Sequence, residues 1–207
     1  MKYALSLIVP LALFFAGCSG SPRLQVNPEW KKAPGHYMVA ITEPYVLNED
    51  DVSDDFPGYA GHFSDWLKIE LAKKLKDETG IGPDSVVLMN NEDFLLTPLP
   101  LGEKESIRVP LPDTNKTTGL KGIVICLHPF QFFRDRHACF NQGGCLNNIY
   151  LAGRGVYSIV DMNETKVLAY GIFGATSSFT LAMTKGNWED VVEDIAGQLV
   201  KSTPLDR

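Results

Sequence analysis

The residues best suited to chemistry are two cysteines, Cys139 and Cys145, which enclose a short segment that contains a Gly-Gly pair. In an oxidising compartment we expect such a pair to form a disulfide, which rigidifies a small loop more than it stabilises the fold. The alternative is a metal site, because His137 stands two residues before the first cysteine and His128 lies nearby in the sequence. The spacing matches no standard zinc pattern, and the Cys-x-x-Cys motif of redox pairs is absent, so the disulfide is the favoured interpretation.

Other reactive residue types have structural explanations. Cys126 lies in an apolar run, which predicts a buried free thiol. No Gly-x-Ser-x-Gly motif accompanies the histidines, and Gly153-Arg154-Gly155 lacks the third glycine of a dinucleotide-binding loop. The carboxylates between Glu49 and Asp55 lack the alternation of an EF-hand and predict a solvated acidic loop. We therefore predict neither catalytic residues nor a cofactor. The alternative, a hydrolase, would need a deep pocket that contains one of the histidines and a carboxylate.

The amino-terminal residues predict a secreted protein with a lipid anchor. Lys2 precedes a mostly apolar run over residues 3–16, which is short for a membrane span and typical of a signal peptide. Phe15-Ala16-Gly17-Cys18 resembles the bacterial lipobox, although Phe15 replaces the usual leucine. The resemblance implies cleavage before Cys18 and acylation of its thiol and new amino group, and more than one acyl chain gives stable anchoring. The alternative is an ordinary secreted protein in which Cys18 has no role.

The expected location is the cell envelope, and Ser19, where an aspartate would signal retention, resembles an outer-membrane address. The outer membrane, facing the periplasm or the cell surface, is therefore the favoured site. The predicted organisation is a signal peptide over residues 1–17, the lipidated cysteine and a tether over 18–36, and a single domain over 37–203. A formal net charge of −6 argues against nucleic acid as a partner.

The periodicity of apolar residues predicts an α/β (α+β) domain in which two main helices pack against one mixed sheet of about five strands. The predicted strands cover residues 37–41, 85–89, 122–127, 148–161 and 167–173. A bulge is expected at Gly153–Gly155 because glycine interrupts that strand. One predicted helix runs from Phe63 to about Thr79, and the other is expected to be capped by Asn187 and to end before Pro204.

Two segments are the predicted partner-binding surfaces. The first is residues 97–118, which we expect to be irregular because prolines break regular structure; these prolines are Pro98, Pro100, Pro110 and Pro112. The second is residues 128–146, where three aromatic residues would be core or interface packing, or a partner patch if exposed; they are Phe130, Phe132 and Phe133. The oligomeric state is left open by the sequence.

Three phrases carry a resemblance to a known group of proteins. They are Val39-Ala40-Ile41, residues 66–71, and the hairpin that runs from Ser158-Ile-Val-Asp161 to Lys166-Val-Leu-Ala-Tyr-Gly171. Together with the element order, they resemble the small periplasmic domain of curli-secretion-type (CsgG-like) lipoproteins, penicillin-binding-protein activator lipoproteins and the TolB amino-terminal domain. The resemblance implies a non-catalytic scaffold, assembly or binding factor that contacts another envelope component. The alternative function is a metal- or small-ligand-binding lipoprotein that uses His137, Cys139 and Cys145.

Overall fold

The computed structural model describes residues 24–47, 63–136, 149–179 and 182–207, which form two helices, a seven-stranded sheet and a two-stranded hairpin. The strands are β1 (Leu24–Val26), β2 (Tyr37–Thr42), β3 (Tyr45–Val46), β4 (Ser85–Met89), β5 (Phe94–Leu101), β6 (Glu105–Pro112), β7 (Ile123–Arg136), β8 (Ile149–Asp161) and β9 (Lys166–Phe179). The helices are α1 (Phe63–Thr79) and α2 (Lys185–Val200), and a short 3-10 turn covers Asn91–Asp93. None of the described helices is both long and apolar enough to cross a membrane.

The main sheet is mixed, as predicted, but it has more strands than the predicted five. Its order is β1-β9-β8-β7-β2-β4, and β3 pairs with β7 beyond the end of β2. Strand β2 is parallel to β4 and β7, and β3 is parallel to β7. The pairs β7–β8, β8–β9 and β9–β1 are antiparallel. All five predicted strands are present. The additional strands, β1 and β3, have only three and two residues, too few to produce a recognisable alternation.

Strand β1 lies inside the predicted tether. Leu24 pairs with Gly171 and Val26 with Ala169 of β9, and Trp30 packs against the core. The folded part of the chain therefore begins at least thirteen residues before position 37.

Both helices pack on one face of the main sheet. The stripe of α2 that begins with Trp188 is fully buried, as are Leu67, Leu71 and Leu75 of α1. Helix α2 begins at Lys185, earlier than predicted, because Thr184 is the capping residue and Asn187 is the third residue of the helix. The Asn187 side-chain oxygen accepts a hydrogen bond from the Thr184 backbone N–H at 2.9 Å, which completes a capping box.

The proline-rich segment forms a hairpin, so the prediction of an irregular loop is wrong for residues 97–112, whereas residues 113–118 form turns. All four prolines of β5 and β6 lie in cross-strand pairs of the same parity: Phe94–Pro112, Leu96–Pro110, Pro98–Arg108 and Pro100–Ser106. In an antiparallel ladder, alternate pairs exchange no hydrogen bonds. Proline has no N–H to donate, so these must be the non-bonded pairs, and the ladder bonds belong to the intervening pairs.

The hairpin covers the second face of the main sheet. The Tyr170 hydroxyl donates to the Pro100 carbonyl at 2.5 Å, and the Ser158 hydroxyl donates to the Pro110 carbonyl. A smaller apolar core lies on this face and consists of Ala40, Phe94, Leu120, Val124 and Cys126.

Candidate functional site

The best candidate for a functional site is a groove at the carboxyl ends of β2 and β4, where two prolines interrupt the main sheet. In β7, His128 and Pro129 lie opposite the single residue Val156 of β8, which makes a bulge. On its other side β7 changes partner from β2 to β3, and Pro44 stands between those two strands. Neither proline has an N–H for the ladder. The sheet therefore opens at this point, and ligands of open α/β sheets bind at such carboxyl ends of parallel strands.

Gly155 is the residue of β8 that accommodates the bulge. A Cβ atom at this position would lie 2.2 Å from the Pro129 carbonyl oxygen and 2.4 Å from Cζ of Phe173. The prediction of a bulge at Gly153–Gly155 of β8 is wrong. The extra residue is in β7, and Gly155 of β8 provides the space for it.

The space beside the bulge has a volume of about 370 Å³, within the range of small-molecule sites. We call it the bulge groove and define it by Thr42, Glu43, Tyr45, Asn91, His128 and Gln131. The groove combines hydroxyl, carboxylate, amide and imidazole groups. It is therefore equipped to orient a polar ligand or a peptide segment through hydrogen bonds.

His128 is the only histidine among the described residues that line the bulge groove. Its Nδ1 lies 3.1 Å from the Thr42 hydroxyl oxygen, at hydrogen-bonding distance. The ring stacks on Phe94, with centroids 5.9 Å apart and an interplanar angle of 15°. Burial lowers the pKa of His128 below its usual 6.5. The imidazole is therefore neutral at pH 7, with one donor and one acceptor nitrogen.

The rim of the bulge groove is partly apolar. Tyr45, which lines the groove, is 60% exposed. Glu43 accepts a hydrogen bond from the Ser64 hydroxyl at the start of α1. Exposed aromatic and aliphatic side chains around a polar groove are typical of protein-binding sites.

Two of the predicted partner-binding aromatics belong to the core, so their interpretation as a partner patch is wrong. Phe130 and Phe132 are 1% and 0% exposed, and their ring centroids lie 4.8 Å apart. They alternate with residues that face the other side of β7, which places them against the helices. Phe133 is half-buried beneath the Arg154 guanidinium, 4.7 Å from the ring centroid.

The four prolines of the predicted partner-binding surface also differ in exposure. Pro98 and Pro100 are exposed, whereas Pro110 and Pro112 are buried. Cys126 is a buried free thiol, as predicted. Burial raises its pKa to about 12, which leaves it protonated and inert at neutral pH.

Several predicted sites lie outside the described residues. They are Cys18 with its lipid, the acidic segment 49–55, and the loop that contains His137, Cys139 and Cys145. The lipid anchor, the disulfide and the alternative metal site therefore stay predictions. Within the described ranges, no group of three or more His, Cys, Asp or Glu side chains is placed to hold a metal ion.

The bulge groove was missed at the level of sequence, although two signals pointed to it. Pro44 directly follows an apolar strand, and the His128-Pro129 pair interrupts a long apolar and aromatic run. Each signal predicts a local break in a strand. That the two breaks lie side by side depends on the pairing of β7 with both β2 and β3, which no local pattern contains.

Comparisons with known proteins yield distant structural likenesses. No protein-family model matches the chain, and no curated protein matches it significantly. The PelC dodecamer from Paraburkholderia phytofirmans is 11% identical, with a TM-score of 0.38, over 89% of this chain and 98% of that chain. A minor lipoprotein from Acinetobacter baumannii is 15% identical, with a TM-score of 0.37, over 79% of this chain and 89% of that chain. A DUF330 protein from Xanthomonas campestris is 13% identical, with a TM-score of 0.35, over 87% and 90%.

At TM-scores of 0.35 to 0.38 these likenesses establish neither a family nor a function for this chain. The predicted resemblance to the curli-secretion, penicillin-binding-protein-activator and TolB group is not shown by them and stays a prediction.

Proposed function

We propose that this chain is a lipid-anchored protein of the bacterial envelope that binds another envelope protein through the bulge groove. The observation that carries the proposal is the groove itself, where Pro44 and Pro129 interrupt the sheet and polar side chains line the opening. Irregular positions on a rigid sheet are where binding residues concentrate.

The anchoring half of the proposal is supported by the amino-terminal sequence. A positively charged start, an apolar run and the Phe15-Ala16-Gly17-Cys18 phrase occur in the order that lipoprotein signals require. A Cys18→Ser variant is expected to move from the membrane fraction to the soluble fraction of the envelope. Mass spectrometry of the wild-type amino-terminal peptide would show acyl groups on Cys18, and an unmodified peptide would refute the anchor.

The contacts of His128 support a binding role in preference to a catalytic one. A general base that activates a nucleophile is normally oriented by a carboxylate or a similar third group. The described contacts of His128 are the Thr42 hydroxyl and the Phe94 ring. This arrangement holds the imidazole in place as a neutral hydrogen-bonding group.

The rim indicates that the ligand is a protein segment. Tyr45 adds exposed aromatic surface beside the polar groups of the groove, and tyrosine is enriched among residues that dominate binding energy. We therefore expect the partner to insert a short polar segment into the groove and to pack apolar side chains on the rim.

Co-purification from a detergent-solubilised envelope tests this function. A Tyr45→Ala variant is expected to recover the partner in strongly reduced yield, by an amount that corresponds to about 1–2 kcal/mol of binding energy. Ile69→Ala is the matched control, because Ile69 is 70% exposed on the outer side of α1, away from the groove. Equal recovery with both variants would refute the groove as the binding site.

A further inference from the structure

A second groove lies at the opposite edge of the main sheet, next to the described residue that is nearest to the anchor. It has a volume of about 540 Å³, and its lining includes Leu24, Val26, Tyr157, Ile172 and Lys201. We call it the anchor-side groove. Leu24, Val26 and Ile172 give the groove an apolar lining, and Ile172 is 38% exposed.

The register of three strands explains why this groove is open. Leu24 of β1 pairs with Gly171 of β9, which in turn pairs with Tyr157 of β8. The middle position of this row has no side chain, and its two neighbours, Leu24 and Tyr157, both line the groove. Gln198 of α2 borders the groove and is fixed by two hydrogen bonds to the Gly174 backbone, at 2.9 and 3.1 Å.

The distance along the chain from the anchor to this groove is short. Five residues, 19–23, separate Cys18 from Leu24, so the chain between them reaches at most about 20 Å even when fully extended. The predicted tether over 18–36 would have let the domain stand away from the membrane. Strand β1 is already paired at Leu24, so residues 24–26 of the predicted tether belong to the sheet.

We propose that the anchor-side groove rests on the lipid bilayer that holds Cys18, with Ile172 and the β1 edge in the interfacial layer. The inference rests on the proposed lipid anchor. The short connection keeps this edge near the bilayer, and the apolar lining suits the boundary between headgroups and acyl chains. Charge does not favour the contact, because four acidic residues stand beside Lys201, namely Glu78, Glu193, Asp194 and Asp206.

This orientation sets the positions of both grooves. Strands β1 and β4 are the two edges of the main sheet, roughly 24 Å apart at about 4.8 Å per strand. The anchor-side groove faces the membrane, and the bulge groove lies toward the far edge, where a partner in the aqueous phase can reach it.

Photo-crosslinking to lipid tests the proposal on the full-length acylated protein in vesicles of phosphatidylethanolamine and phosphatidylglycerol. A photoreactive amino acid replaces Ile172 in one variant and Leu88 in the other. These residues are matched, because they are 38% and 39% exposed. Ile172 lies on β9, next to the β1 edge, and Leu88 lies on β4 at the opposite edge. We expect phospholipid adducts to be several-fold more abundant at position 172.

A third variant guards against a folding defect at position 172. The same probe at Lys201, which is exposed at the mouth of the groove, leaves the apolar lining intact and is also expected to give phospholipid adducts. Equal lipid adducts at positions 172 and 88 would overturn the proposal. So would adducts at 172 and 201 that contain only protein, whether a second copy of this chain or another partner.

Vesicle flotation and the mass of the amino-terminal peptide separate the two hypotheses. If Cys18 is acylated and the protein floats with the vesicles, the anchor is present. The ratio of lipid adducts at positions 172 and 88 then tests only the orientation of the domain. If Cys18 carries no acyl group, the proposed anchor fails, and the membrane orientation fails with it.

Discussion

His128 is a single residue whose titration should be visible in the stability of the whole protein. Burial lowers its pKa in the folded state, so below about pH 6.5 the unfolded chain binds more protons than the folded chain. The stabilisation is complete above the unfolded-state pKa and is lost as the pH falls toward the folded-state pKa. We expect the free energy of unfolding to decrease between about pH 8 and about pH 5 in urea titrations.

The His128→Gln variant is the control for this prediction. Glutamine keeps a hydrogen-bonding group opposite the Thr42 hydroxyl but does not titrate. The variant should therefore lose less stability over the same pH interval than the wild type. An unchanged pH dependence would contradict the assignment of this titration to His128.

Gly155 is the residue on which the bulge depends most. The Gly155→Ala variant would place a methyl group 2.2 Å from the Pro129 carbonyl oxygen, and such overpacking typically costs about 1–3 kcal/mol or more. Gly174→Ala is the matched control on β9, because a Cβ there meets nothing within 4 Å in the described structure. It should change the free energy of unfolding by less than about 0.5 kcal/mol. Similar values for both variants would show that the close contact at Gly155 is not what the bulge requires.

At the scale of elements, the parity of the prolines in the β5–β6 hairpin makes a sharp prediction. Glu105 pairs with Leu101 in a bonded position, whereas Ser106 pairs with Pro100 in a non-bonded position. Both residues are exposed, so the two substitutions differ mainly in the backbone. Glu105→Pro should destabilise the protein by about 1–3 kcal/mol through a lost ladder bond, and Ser106→Pro should cost much less. Denaturant unfolding measures both, and the reverse order would contradict the deduced ladder.

The same elements show how far the sequence predicts the fold. Apolar residues at three- and four-residue steps predicted both helices, and long apolar runs predicted the strands of the central sheet, because burial on one face imposes these periods. Prolines at positions 98, 100, 110 and 112 predicted a loop, because proline usually ends a strand. Their even spacing is compatible with one strand parity, but the partner strand that makes this acceptable is known only from the fold.

The candidate site was harder to predict than the elements that build it. Pro44 and the His128-Pro129 pair are 84 residues apart in the sequence at their nearest. They become neighbours only because β7 pairs with β2 before the bulge and with β3 after it. For Phe130 and Phe132 the sequence left open core packing or an exposed partner patch near a strand end. Strand β7 continues to Arg136, and both residues are buried in the core.

Across the whole molecule, the width of the main sheet separates the anchor-side groove from the bulge groove. The anchor-side groove and the β1 edge lie near the amino-terminal connection to Cys18, and the bulge groove lies toward the opposite edge, beside β2 and β4. A lipid-anchored binding protein requires this separation, because its partner must have access while the anchor is in the membrane.

Site-specific crosslinking in the intact envelope shows whether an envelope protein binds at the bulge groove. A photoreactive amino acid at Tyr45, 60% exposed on the rim of the bulge groove, is compared with the same probe at Ile69, 70% exposed on α1. We predict one dominant envelope protein crosslinked at position 45 and identified by mass spectrometry, with little of it captured at position 69. Equal capture at both positions, or no protein captured at position 45, would contradict the account.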